Sequence, residues 1–300
     1  MAALTDLFPG FAPRRIEVAD GTAFRLVAAG EGPAVLLLHG WPETLAAWHR
    51  IAPAMVAAGY RVVVPDLPGY GQSDAGPGAV SRQAIAASLA ALMDVLDYRH
   101  YAVVGHDRGA RAGYRLALDF SDRVVAYASL AVAPTLDVWE GIDAGFALRA
   151  PHWFFFAQPP DLLEQLIGAA PAAYLDFVLT GMAGSLDHLD PGALADYHAA
   201  IARPSVRRAM FDDYRAAAGI DLDHERADRA AGRRLACPVL HLWSADRPQA
   251  EPLAVWRRWA MDVSGTGIDH GHLQPERAPD QVLAALLPFL DRCFSRSSTP

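Results

Sequence analysis

Short apolar runs alternate with stretches of helical periodicity along most of the chain. Runs of strand length occupy Ala34–Leu38, Arg61–Pro65, Tyr101–Val104, Val124–Val132 and Pro238–Trp243. Near-continuous runs of this kind suit strands buried on both faces. Helices between them imply parallel pairing in an α/β sheet. The clearest helix is predicted over 81–97, where Ser81 can cap and Ile85, Leu89, Leu92 and Leu96 recur every three or four residues. That stripe is core and needs no functional explanation. Arg15–Val18 and Ala23–Ala28, on either side of Asp20-Gly21, predict a leading antiparallel pair.

The alternation stops after Pro134. From Thr135 to about Ile220 the chain shows aromatic-rich helical stretches and several prolines, and strand rhythm returns at Pro238. The division this predicts is a core of 1–134 and 222–300, with a helical cap, 135–221, inserted between two core strands. Three hundred residues suffice for such a core and insertion. The net charge of −8, with all 26 basic residues arginine, offers no basic excess for phosphates and excludes a nucleic-acid partner. Two cysteines, Cys237 and Cys293, make no disulfide framework and suggest a reducing compartment. No basic segment followed by an apolar run opens the chain, and no apolar run is long enough to span a bilayer. The expectation is a soluble, cytoplasmic protein with no membrane partner.

The run Gly105-His106-Asp107-Arg108-Gly109-Ala110-Arg111 follows the strand Tyr101–Val104 and precedes a helical pattern. Glycine, any residue, nucleophile, any residue, glycine at a strand-to-helix turn is the nucleophile elbow of α/β-hydrolases. The nucleophile slot holds Asp107, not serine. A carboxylate there suits attack on saturated carbon to give an alkyl ester. Taken alone, an Asp after a strand can equally be a helix cap; the glycine frame is what favours the nucleophile. His39-Gly40-Trp41-Pro42 follows the strand Ala34–Leu38, where this fold takes one oxyanion N–H, here that of Trp41; the other comes from Arg108. His272, in Asp269-His270-Gly271-His272-Leu273-Gln274-Pro275-Glu276, is late in the chain and just before a helix, as the fold's chain order requires, with His270 its competitor. Arg108 and Arg111 are placed to grip a substrate carboxylate, which arginine can match bidentately. No His-Glu-x-x-His or paired-Cys motif is present, so no metal site and no cofactor are expected.

With these residues in view, the chain resembles the fluoroacetate dehalogenases, the haloacetate-hydrolysing branch of the α/β-hydrolases. The likeness runs through Leu7-Phe8-Pro9-Gly10-Phe11, Trp48-His49-Arg50, Asp66-Leu67-Pro68-Gly69-Tyr70-Gly71, Gly105 to Arg111, Tyr114-Arg115-Leu116-Ala117-Leu118-Asp119, His152-Trp153, Asp213-Tyr214-Arg215 and Gly271-His272. The Asp-Arg-Gly-Ala-Arg run is its most specific part. The resemblance implies that Asp107 attacks the carbon bearing halogen and that Arg108 and Arg111 bind the carboxylate. It also implies that His152, Trp153 and Tyr214 donate to the departing halide and that His272 activates water. On sequence alone His152, Trp153 and Tyr214 read as packing residues. Family likeness further suggests a homodimer.

Two departures from the family pattern stand out. Ala131 in Leu130-Ala131-Val132-Ala133-Pro134-Thr135 occupies the place of the triad acid. Asp246, ending Leu242-Trp243-Ser244-Ala245-Asp246, is the expected replacement, with Asp137 and Asp269 as weaker candidates. There is also no Trp between Trp153 and Trp243, which predicts a roomier pocket than the family's. The expected activity is hydrolytic dehalogenation of short 2-haloacids to 2-hydroxy acids, with a halocarboxylate and water as the only partners. An epoxide hydrolase of the same fold, using Tyr214 with Tyr174 or Tyr197, and a non-catalytic carboxylate-binding protein are the alternatives.

Overall fold

A computed structural model of the chain describes residues 4–78, 80–246 and 251–297. Eight strands form one sheet in the order β1-β2-β4-β3-β5-β6-β7-β8. They are β1 (Ala12–Glu17), β2 (Ala23–Ala29), β3 (Ala34–Leu38), β4 (Arg61–Pro65), β5 (Tyr101–His106), β6 (Val124–Leu130), β7 (Val239–Ser244) and β8 (Val263–Ile268). β1–β2 and β2–β4 pair antiparallel, and every pair from β4 to β8 is parallel. The central strands β3 and β5 are buried along their whole length, which is why they read as unbroken apolar runs.

The predicted helix forms over Arg82–Val95, with Ser81 Oγ accepting the Ala84 N–H at 3.2 Å. β8 was not anticipated. Its sequence, Val-Ser-Gly-Thr-Gly-Ile, lacks an apolar run because it lies at the sheet edge and is mostly half-exposed. Between β6 and β7 the described residues contain helices but no strand. The last of these helices, Ile220–Ala230, straddles the boundary predicted at 221. Two apolar clusters cover the two faces of the sheet, and both continue into the insertion, one through Trp153, Phe156, Phe211 and Tyr214 and the other through Leu175, Leu179, Tyr197 and Ile201. Among the described residues no single helix is long and apolar enough to cross a membrane.

The parallel strands end together at the edge where β3, β5, β6 and β8 release their loops. Trp41, Asp107, Ala131 and His272 all follow strand ends on that side, beneath the helical insertion. This is where open α/β sheets carry their sites.

Candidate active site

β5 passes into the helix Asp107–Asp119 with no intervening loop. Asp107 takes the left-handed φ of +47°, the strained turn that projects its side chain out of the backbone. The flanking glycines are what the turn requires. A Cβ on Gly105 would lie 2.4 Å from Ala110 Cα, and one on Gly109 would lie 2.3 Å from the Leu38 carbonyl oxygen.

The two oxygens of Asp107 face different partners. Oδ1 accepts the Trp41 N–H at 3.0 Å, and Oδ2 lies 3.5 Å from His272 Nε2. Burial opposes ionisation of Asp107, but the hydrogen bond and charge of His272, with His106 and Arg108 behind it, hold the carboxyl well below the usual range. The residue is therefore an anion near neutral pH. His106 supports the histidine loop from below. Its Nε2 donates to the His272 carbonyl at 2.8 Å, and its Nδ1 donates to Glu43 Oε2 at 2.8 Å. Both partners are acceptors, so both ring nitrogens carry hydrogen. Burial resists that charge, but the Glu43 carboxylate overcomes it and raises the His106 pKa.

The arginine pair divides into two different roles. Arg108 is fully buried and already has its counter-ion. Its Nε donates to Asp213 Oδ2 at 3.0 Å, Nη2 reaches the Asp213 carbonyl at 2.9 Å and the same carboxylate, and Arg82 binds that carboxylate too. Burial opposes ionisation of Asp213, yet the two arginines keep it well below the usual carboxylate range. Only Arg108 Nη1 is left buried without a partner. Arg111 is different. Its Nη1 donates to Thr135 Oγ1 at 2.9 Å, its guanidinium stacks 4.9 Å from the Trp153 ring centroid, and its buried Nε has no partner. No ion pair to Arg111 forms among the described residues. Burial, and then repulsion from Arg108, pushes its pKa down to about 10. A buried cation of this kind is costly until an anion reaches it. Asp213 stood in the sequence only as part of a matching run; nothing local marked it as the partner of a residue on another helix.

His152, Trp153 and Tyr214 do converge, around Trp41. The His152 ring stacks on Trp41 at 4.7 Å, and the Tyr214 ring lies 5.7 Å from Trp41, 5.4 Å from His152 and 6.0 Å from Trp153. Burial lowers the His152 pKa to about 4, so the ring is neutral near pH 7 and has one N–H to give. Burial, reinforced by the Asp107 charge, raises the Tyr214 phenol well above its ordinary value, so it remains a donor. Of the other tyrosines, Tyr174 packs on Phe156 at 6.2 Å, while Tyr197 is buried beside Glu276 instead.

Residues 33–246 match the family model described as the alpha/beta hydrolase fold. The chain belongs to that family. This hydrolase is 36% identical over 294 residues to a fluoroacetate dehalogenase of a Burkholderia species, covering 95% of each chain. It is 29% identical over 278 residues to a soluble epoxide hydrolase of Corynebacterium sp. strain C12, covering 90% of this chain and 94% of that one. Among solved structures, a putative epoxide hydrolase from Pseudomonas aeruginosa superimposes with a TM-score of 0.92 at 47% identity, covering 96% of this chain and 97% of that one.

The hydrolase departs from expectation at the acid. Asp246 lies exposed in the turn after β7, and among the described residues no hydrogen bond or ion pair joins it to His272. Ending a neighbouring strand put it at the right edge of the sheet but did not turn its carboxylate inward. The other candidates are engaged elsewhere. Asp137 is held by Arg258 and Arg229, and Asp269 by Gln281. Ala131 follows β6 with φ +66° and its N–H on the Leu242 carbonyl at 2.8 Å. Asp246→Asn is therefore expected to change steady-state hydrolytic turnover by less than about twofold, since it alters an exposed group with no link to His272 among the described residues. A loss of tenfold or more would restore Asp246 to the machinery.

Proposed function

We propose that this hydrolase dehalogenates short 2-haloacids, converting haloacetate to glycolate. The observation that carries the proposal is Arg111, a buried cation near Asp107 with donors to spare and, among the described residues, no ion-paired carboxylate. A substrate carboxylate would supply that missing charge. Arg108 would add a hydrogen bond from its free Nη1, its Nε and Nη2 being committed to Asp213. The clamp is thus one charge from Arg111 and one hydrogen bond from Arg108, in place of two equivalent arginines.

In this reading Asp107 Oδ2 attacks the carbon bearing halogen. The C–O ester bond forms as the carbon–halogen bond breaks, and the halide leaves with both bonding electrons. His152, Trp153 and Tyr214 would solvate it; fluoride above all needs such donors, because its charge develops before the bond has broken. His272 Nε2 then takes a proton from water, whose oxygen attacks the Asp107 carboxyl carbon. The oxyanion develops on Oδ1, already held by the Trp41 N–H, with the Arg108 N–H as its second donor by the geometry of the elbow. Collapse breaks the ester C–O bond, the leaving oxygen takes the proton back from His272 to give the 2-hydroxy acid, and the Asp107 carboxylate is regenerated with one oxygen now derived from water as the remaining proton is lost to solvent.

An epoxide hydrolase would use the same nucleophile, and the kinship with that group gives this second reading its weight. A neutral epoxide, however, would leave Arg111 unpaired. The test compares chloroacetate with chloroacetamide. Loss of a buried charge-assisted contact costs about 2–5 kcal/mol, so the amide should turn over roughly 30- to 5,000-fold more slowly in kcat/KM. Equal halide release from the two would overturn the clamp. Diol formation from styrene oxide with no halide release from any haloacid would favour the epoxide reading.

A further inference from the structure

Behind Arg111 lies a buried carboxylate that the reaction above does not use. Glu225, on the helix Ile220–Ala230, is 3% exposed. Its Oε2 accepts the Leu136 N–H at 2.7 Å, and it hydrogen-bonds the Thr135 side chain. The Thr135 hydroxyl is fully buried and also accepts from Arg111 Nη1 at 2.9 Å. A hydroxyl with one acceptor role filled by a guanidinium donates its own hydrogen onward. The chain Arg111–Thr135–Glu225 is therefore directional. It links the free cation to a carboxylate on the side away from Asp107.

We propose that Glu225 is the positioning residue and standby counter-charge of Arg111, and that a substrate carboxylate is taken up together with a proton that lands on Glu225. The inference rests on the carboxylate-substrate reading of the site. Its physical basis is competition. Two anions cannot both be stabilised by one buried cation without mutual repulsion in a low-dielectric interior, and the cheapest relief is to protonate the one already inside. Burial already pushes Glu225 up to about 7, with the Leu136 N–H and the Arg111 charge pulling the other way. Little further work is then needed to neutralise it near physiological pH.

The groups facing Glu225 are few. Arg111 and Tyr114 come from the helix Asp107–Asp119, Tyr127 from β6 and Asp221 from its own helix. Tyr114 and Tyr127 are held neutral by burial. Asp221 accepts the Arg82 N–H at 2.8 Å, with Asp213 of the helix Pro204–Ala217 behind it. On the helix Thr135–Glu140, Asp137 is neutralised by Arg229 and Arg258. Arg111 is the one cation of this set not already matched by a side-chain carboxylate.

The sign of the effect follows from linkage. An arriving anion raises the Glu225 pKa further, so affinity is full below the Glu225 pKa of the free protein and falls as pH rises above it, by up to about tenfold per pH unit. The test is calorimetric titration of acetate, an unreactive carboxylate, in buffers of different ionisation enthalpy. The parent should take up close to one proton per acetate near pH 8. Glu225→Gln keeps an acceptor for Leu136 and Thr135; it should bind acetate without that uptake, with a nearly flat pH dependence, and about tenfold more tightly than the parent at about pH 8. Acetate binding to the parent without proton uptake, or unchanged uptake in Glu225→Gln, would overturn the proposal while leaving the substrate class standing. No acetate binding to the parent would instead sink the carboxylate reading itself. If Glu225→Gln fails to fold, infrared difference spectra of the parent decide the matter. A protonated-carboxyl band appearing with ¹³C-acetate supports the proposal, and its absence refutes it.

Discussion

Asp107→Asn is expected to release no measurable halide, a loss on the order of 10⁴-fold or more, because an amide oxygen is a poor nucleophile toward saturated carbon. The fold should survive the change. Asparagine tolerates the left-handed φ of +47° at this position, and its amide oxygen can still accept the Trp41 N–H that now reaches Oδ1 at 3.0 Å. The defect should therefore lie in chemistry, leaving acetate binding at Arg111 intact. Chloride release by the variant, with mass spectrometry to confirm that the asparagine has not deamidated, measures this directly. The companion observation is single turnover of the parent in ¹⁸O-labelled water. The first product oxygen should come from Asp107, and the label should appear on the enzyme. Labelled product from an unlabelled enzyme would mean that water attacks the substrate directly.

Ala131→Asp is expected to accelerate ester hydrolysis, by up to roughly 10⁴-fold if the introduced carboxylate meets His272 as a triad acid does. Among the described residues no carboxylate other than Asp107 pairs with His272. Asp107 is spent as an anion once the ester has formed, so the histidine must take its proton from water without a second carboxylate to stabilise it. The parent should then show a burst of halide about equal to the enzyme present, followed by slow turnover, with the alkyl-enzyme visible by mass spectrometry. Ala131 already occupies left-handed backbone at φ +66°, a conformation that aspartate accepts better than alanine. The substitution should thus relieve the burst without disturbing β6. Steady turnover in the parent with no accumulated ester would show that His272 needs no acid at that position.

Both results turn on where information about this protein resides. The elbow is a local object. Gly105 flanks Asp107 because a Cβ there would collide with Ala110 in the same turn, and Gly109 because a Cβ there would meet the Leu38 carbonyl of the neighbouring strand; the frame they make is nonetheless written in adjacent letters. The buried strand β3, and β4 from Val62 to Pro65, were legible because burial on both faces favours an apolar residue at each position. β8 escaped notice because an edge strand of glycine, serine and threonine satisfies its ladder with backbone groups alone. Side-chain pattern cannot report a strand that hardly uses side chains.

The sequence by itself determined the hydrolase fold, the elbow that carries Asp107, the place of His272 late in the chain and the presence of two arginines after the elbow. Only the tertiary structure separated those arginines. Arg108 is neutralised by Asp213, which lies 105 residues further along the chain, whereas Arg111 hydrogen-bonds Thr135, reaches Glu225 through it, and stacks on Trp153. It likewise left Asp246 in solvent, where strand position alone had suggested a catalytic acid. The reason is physical. Backbone geometry follows from near neighbours, whereas the charge state and availability of a buried side chain depend on which distant groups share its low-dielectric surroundings.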